Sequence, residues 1–117
     1  MALDAALADI RTTPFSRTYQ WTKGALQNLV GQRYRHVKSL GNVNYRSGGP
    51  VEIADYQRGK REVERLLSTY SGVILLCGCL DLASCHRLTV ANALTSDLGV
   101  AVTHLAKPRP SQQLPLL

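Results

Sequence analysis

The sequence predicts an α/β domain with a small, mainly parallel sheet of about four strands and helices on its faces. Three observations carry this. Short apolar stretches alternate with segments of helical periodicity, in the order strand, helix, strand, helix, strand, helix, strand. The stretch VILLC, residues 73–77, is continuous and apolar and follows Ser71-Gly72, the pattern of a buried parallel strand. A length of 117 residues allows one core and not two.

The elements follow in order. AALADIR, residues 5–11, is apolar and ends in two charges; it suits a helix tail or a buried strand, because alanine decides neither. Pro14 breaks the chain. Thr22 can cap a short helix through about residue 30, which Gly31 can end. RYRHVKSL, residues 33–40, alternates in places and contains Tyr and Val, so it reads as a strand. Residues 41–50 form a polar, Gly-rich loop. Between residues 53 and 70, Ile53, Tyr56, Val63, Leu66, Leu67 and Tyr70 recur at helical spacing. Arg58 with Glu62 and Lys60 with Glu64 make four-apart charge pairs on the outer side, while Gly59 weakens the first half. After the strand at 73–77, Ser84 is expected to cap a helix whose inner face is Leu88, Ala91, Leu94 and Leu98, with Gly99 at its end. Residues 100–105 make the last strand. The domain is expected to span residues 1–105, and 106–117, with three of the five prolines, a Pro-rich C-terminal tail.

Composition narrows the classes of function. Fourteen Lys and Arg stand against eight Asp and Glu, for a net charge of +6, and ten of the fourteen are arginine. Arginine presents a rigid fork of donors that matches phosphate and carboxylate, so a nucleotide or nucleic-acid partner is one reading and a solubilising surface the other. No apolar run is long enough to span a membrane, and the N-terminus lacks the pattern of a secretory signal. The three cysteines do not suggest a disulfide framework, so a reducing cytoplasm is expected.

Ligands of parallel α/β sheets bind beyond the carboxyl ends of the strands. That rule singles out Asp9 and Arg11 after the first strand, Cys77 and Cys79 after the third, and Cys85, His86 and Arg87 at the start of the next helix. The spacing C-x-C-x5-C-H lacks the paired knuckles of a structural zinc site, and no metal is expected. Cys85, in a first helical turn beside His86 and Arg87, reads either as a reactive thiolate or as a structural residue, whereas Cys77 reads as a small buried residue. The preferred reading is an anion cradle, in which the helix start, Arg87 and Arg11 hold a phosphate or carboxylate and His86 donates to it or acts as an acid.

These residues resemble a known family. Asp9-Ile10-Arg11 with Pro14 and Ser16 resembles the "D-V-R-x-x-P-x-S" start of the domain-of-unknown-function 488 family. Tyr34 and His36 stand where that family has "Y-x-H-L", followed by Leu40-Gly41-Asn42. Leu75-Leu76-Cys77 and Cys85-His86-Arg87 match "L-L-C … C-H-R", and Val102-Thr103-His104-Leu105 resembles the final "V-x-H-L" strand. The resemblance implies a three-layer Rossmann-like sandwich whose polar motifs converge at one sheet edge, and a protein acting on or binding nucleotides or nucleic acids. Two departures stand out. The chain resembles an N-terminally shortened member without the usual first strand and helix, and Cys79 stands where many members have a glutamate.

The expectation is therefore a small cytoplasmic protein binding a phosphorylated ligand: a nucleotide, a nucleoside derivative or a nucleic-acid end. Arg11, Arg87 and the backbone at Cys85 hold the anion, Asp9 orients Arg11, and Ser16 adds a hydroxyl. Tyr45 either stacks on a base or is a surface tyrosine, and Cys85 or His86 performs any chemistry. No cofactor is called for. The rival is a non-catalytic module of phage or mobile-element type that sequesters a nucleotide or contacts nucleic acid. A homodimer is expected to cover the gap left by the missing first strand.

Overall fold

A computed structural model describes residues 4–14, 16–78 and 85–103. The ambiguous N-terminal stretch is a strand. β1 (Ala5–Asp9) lies at the centre of a three-stranded parallel sheet of order β2-β1-β3, between β2 (Tyr34–His36) and β3 (Gly72–Leu76). Its alanines fit that place. Ala6 and Ala8 are buried in one cluster with Ile10, with Val63 and Leu66 of α2 (Tyr56–Thr69), and with Val90 and Leu94 of α3 (His86–Leu98). Small residues on the strand let two helices come close to the sheet. Alternation turns Leu7 and Asp9 to the opposite face. There Leu7 is in register with Tyr34 and Asp9 with His36. α1 (Lys23–Val30) reaches β2, and its Leu26 is buried outside the main cluster.

Local signals explain the helix ends. The Thr22 side chain accepts from the Ala25 N–H and caps α1, and Gly31, at φ 59°, ends it. The Asp55 carboxylate accepts from the Arg58 N–H and caps α2. Gly99 closes α3 in the left-handed conformation. The cap of α3 is Cys85, whose sulfur accepts from the Arg87 N–H at 3.4 Å; Ser84, expected there, lies outside the described residues. α2 and α3 are tied by the Tyr56 hydroxyl, which donates to Asp97 at 2.7 Å. Burial and that bond push the Tyr56 pKa up to about 12.

Four expectations change. The second strand stops at His36, because Lys38–Leu40 folds into a 3-10 turn that buries Leu40. β3 is half-buried rather than fully buried, with Ile74 49% exposed, because it is an edge of the sheet. Glu62 accepts from the Ser39 hydroxyl at 2.8 Å, anchoring α2 to the turn beneath it. Residues 100–103, expected to begin a fourth strand, carry no strand pairing, and 104–117, with the proposed tail, lie outside the described residues. No helix among the described residues is long and apolar enough to cross a membrane.

Candidate functional site at the carboxyl edge of the sheet

The end of β1 is built around one carboxylate. Asp9 is fully buried. Arg11, two residues on, is on the same side of an extended chain and turns its fork inward. Its Nε donates to Oδ1 at 2.8 Å and its Nη2 to Oδ2 at 2.6 Å, a two-pronged ion pair. The Arg11 backbone N–H adds a third bond at 3.2 Å, and the Tyr34 hydroxyl a fourth at 2.5 Å. Burial works to raise the Asp9 carboxyl, but the bonds from Arg11 and Tyr34 and the guanidinium charge outweigh it and hold the group below the usual carboxylate range. Burial, then the bond to Asp9, pushes the Tyr34 hydroxyl well up, so it remains a donor.

Two histidines clamp the backbone just beyond. His86 Nε2 lies 2.8 Å from the Ile10 carbonyl, and His36 Nε2 lies 2.7 Å from the Arg11 carbonyl. A carbonyl only accepts, so Nε2 carries the hydrogen in each ring. His86 thereby ties the start of α3 to the end of β1, although 76 residues separate them.

The expected cradle is thus only partly assembled from the expected groups. Asp9 and Arg11 meet, but the third arm of the guanidinium, Nη1, donates to the Trp21 carbonyl at 2.6 Å, and Arg11 is only 8% exposed. Its fork is directed at Asp9. Arg87 differs: its Nε is buried and has no hydrogen-bond partner among the described residues. Cys85 is 2% exposed, deeper than the half-buried Cys77, and the two sulfurs are in contact. Ser16 Oγ accepts from the Thr18 N–H, which places it in a local turn. Tyr45 is 67% exposed on a loop anchored through the Asn42 carbonyl, which accepts from Thr12 Oγ1 at 3.0 Å. Cys79 lies outside the described residues, among which no group of His, Cys, Asp or Glu could hold a metal ion.

Next to Arg87 a groove of about 700 Å³ runs along the side of β3 that is unpaired among the described residues, lined by Trp21, Leu67, Ile74, Leu76, Arg87 and Val102 among others. Its walls are mainly apolar and Arg87 is its charged group. Sequence reasoning missed the inward turn of Arg11 and the groove. The first had a signal, since residues two apart on a strand share a face. The second had none, because it depends on β3 being an edge. No protein-family model, curated protein or solved structure matches the chain.

Proposed function

We propose that this is a cytoplasmic protein that binds a phosphorylated ligand at the start of α3, with Arg87 as the cation that receives it. The observation that carries the reading is the buried Arg87 Nε without an acceptor. A buried donor left unpaired costs about 1–3 kcal/mol, more when charged, and an anion offers the missing acceptor. The positive end of the 13-residue α3 lies beside it. A groove of about 700 Å³ alongside falls within the size of small-ligand sites. The ligand class is a nucleotide, a nucleoside derivative or a nucleic-acid end, in keeping with the net charge of +6 and with the resemblance to the domain-of-unknown-function 488 family.

Binding without turnover is the favoured form of this reading. The two candidate catalytic groups are already engaged: His86 Nε2 with the Ile10 carbonyl, and Cys85 with Cys77 and the Arg87 N–H. That favours a sequestering or nucleic-acid-contacting module, as in phage and mobile-element proteins, over an enzyme. The completed fold in this proposal has a fourth strand from residues 100–105 beside β3, in a three-layer Rossmann-like arrangement.

Calorimetric titration with inorganic phosphate, AMP and ATP tests the site. Arg87→Ala should weaken binding about ten- to a hundred-fold, the loss of one charge-assisted contact. Arg87→Lys should restore part of it, because an ammonium lacks the planar fork. Arg109, outside the described residues, serves as a control. Equal affinity of Arg87→Ala and the unchanged protein for all three probes overturns the assignment.

A further inference from the structure

The two cysteines that frame the proposed site are not independent. Cys77 directly follows β3, and Cys85 caps α3 eight residues later. Their sulfurs meet, which joins the end of an edge strand to the start of the helix that carries Arg87. Their environments also differ in a useful way. Cys77 is half-buried, whereas Cys85 is enclosed. The Cys85 sulfur accepts a hydrogen bond from the Arg87 N–H and sits at the positive end of α3. The pair therefore has one less buried cysteine and one held in place beside it.

The Cα atoms of the pair are 7.6 Å apart. Disulfide-bridged residues usually have Cα atoms about 4.4–6.8 Å apart. A bond between the two sulfurs holds the end of β3 to the start of α3, and opening it lets them part. Gly78, next to Cys77, gives the strand end freedom to follow. Arg87 is two residues from Cys85 in the first turn of α3, so the same movement shifts the cation of the proposed anion site.

We propose that Cys77 and Cys85 form a reversible dithiol–disulfide couple whose state sets the position of the α3 start and the affinity of the site there. The oxidant is a low-molecular-weight disulfide. The Cys77 thiolate attacks one of its sulfurs, the disulfide bond breaks, and the first small thiolate leaves and takes a proton from water. The Cys85 thiolate then attacks the Cys77 sulfur, the mixed disulfide breaks, and the second small thiolate leaves. The protein loses two thiol hydrogens, and the small disulfide is reduced to two thiols. The couple itself stands apart from the anion reading, whereas its effect on affinity rests on that reading.

The test equilibrates the full chain in glutathione buffers of graded redox ratio, quenches with acid, alkylates free thiols and maps the peptides. The expected product is lighter by two hydrogen atoms and carries a bridge between Cys77 and Cys85. Cys79→Ser should leave that bridge unchanged. Cys85→Ser should accumulate glutathione on Cys77, and Cys77→Ser should leave Cys85 unmodified. A bridge to Cys79, or glutathione on both cysteines with no bridge at any ratio, overturns the couple. Phosphate titration of the fully oxidised and fully reduced protein then reads the coupling, expected to be at least about fivefold. Equal phosphate affinity in the two states overturns the regulatory effect while the anion site stands. No phosphate binding in either state, with the bridge formed, overturns the anion site and leaves the couple in place.

Discussion

Asp9 is the residue on which the carboxyl edge depends, and its energetics are those of a buried ion pair. Both partners are nearly or fully enclosed, so removing one strands the other charge without water. Arg11→Ala or Asp9→Ala should cost about 3–5 kcal/mol in urea unfolding, and the double variant should cost less than the sum of the two. Tyr34→Phe deletes the donor to Oδ2 and should cost about 1.5–3 kcal/mol, the worth of a bond to a charged group. The pH dependence follows from the lowered Asp9 pKa. Its stabilising contribution is fully present above the ordinary carboxylate value of 3.8 and is lost as pH falls through the lower folded value. Acid titration of the Asp9→Asn variant should show a smaller loss of stability below that pH than the unchanged protein, and an identical acid limb would sink the assignment. The sequence pointed to Asp9 and Arg11 as a site but left the direction of the guanidinium open. Fork geometry suits a phosphate and an aspartate equally, and only burial tells which one is met.

At the scale of elements, α2 shows what periodicity conveys and what it hides. The spacing of Tyr56, Val63, Leu66 and Leu67 marks the helix, and Asp55 and Thr22 mark two starts by chemistry that is local to the chain. Gly59 reads in the sequence as a weak point. In the fold it is the place where α2 crosses the Lys38–Leu40 turn, and an added Cβ would lie 2.3 Å from Leu40 Cγ and Cδ2. Gly24 in α1 has nothing within 4 Å of the same position. The two glycines should therefore respond in opposite ways to alanine. Gly24→Ala should stabilise by about 0.5 kcal/mol through the unfolded chain, and Gly59→Ala should destabilise by about 1–3 kcal/mol through overpacking. Thermal unfolding of both variants checks the contrast, and a stabilising Gly59→Ala would mean that α2 does not rest on Leu40. Where the sequence misled, the cause was tertiary. The apolar residues Val37 and Leu40 extend the pattern of β2 past His36, yet they are buried by a turn and its contact with α2, and no alternation rule encodes that choice.

The whole molecule leaves apolar surface beside α1. The 3-10 turn Tyr19–Trp21 contacts α1, and Tyr19, Trp21 and Leu29 of these two elements are exposed. Aromatic and leucine side chains grouped in this way are more characteristic of an interface than of a solvated face. In the homodimer expected for this chain, a second copy covers this surface. Leu29 is the natural probe because it is 76% exposed and belongs to no described core cluster, so a charge there leaves the protomer's own packing untouched. Light scattering of the unchanged chain should give twice the 12.8 kDa of one protomer. Leu29→Glu, and more strongly Tyr19→Glu with Leu29→Glu, should shift the population to monomer at the same concentration while leaving the unfolding midpoint of the isolated protomer unchanged. A monomer for the unchanged chain at high concentration rules the dimer out. A dimer that ignores both substitutions moves the interface away from α1. The edge of β3 that is unpaired among the described residues is then the next surface to challenge, through Ile74→Asp: loss of the dimer assigns that edge to the second copy, and loss of stability at constant mass assigns it to contacts within the protomer.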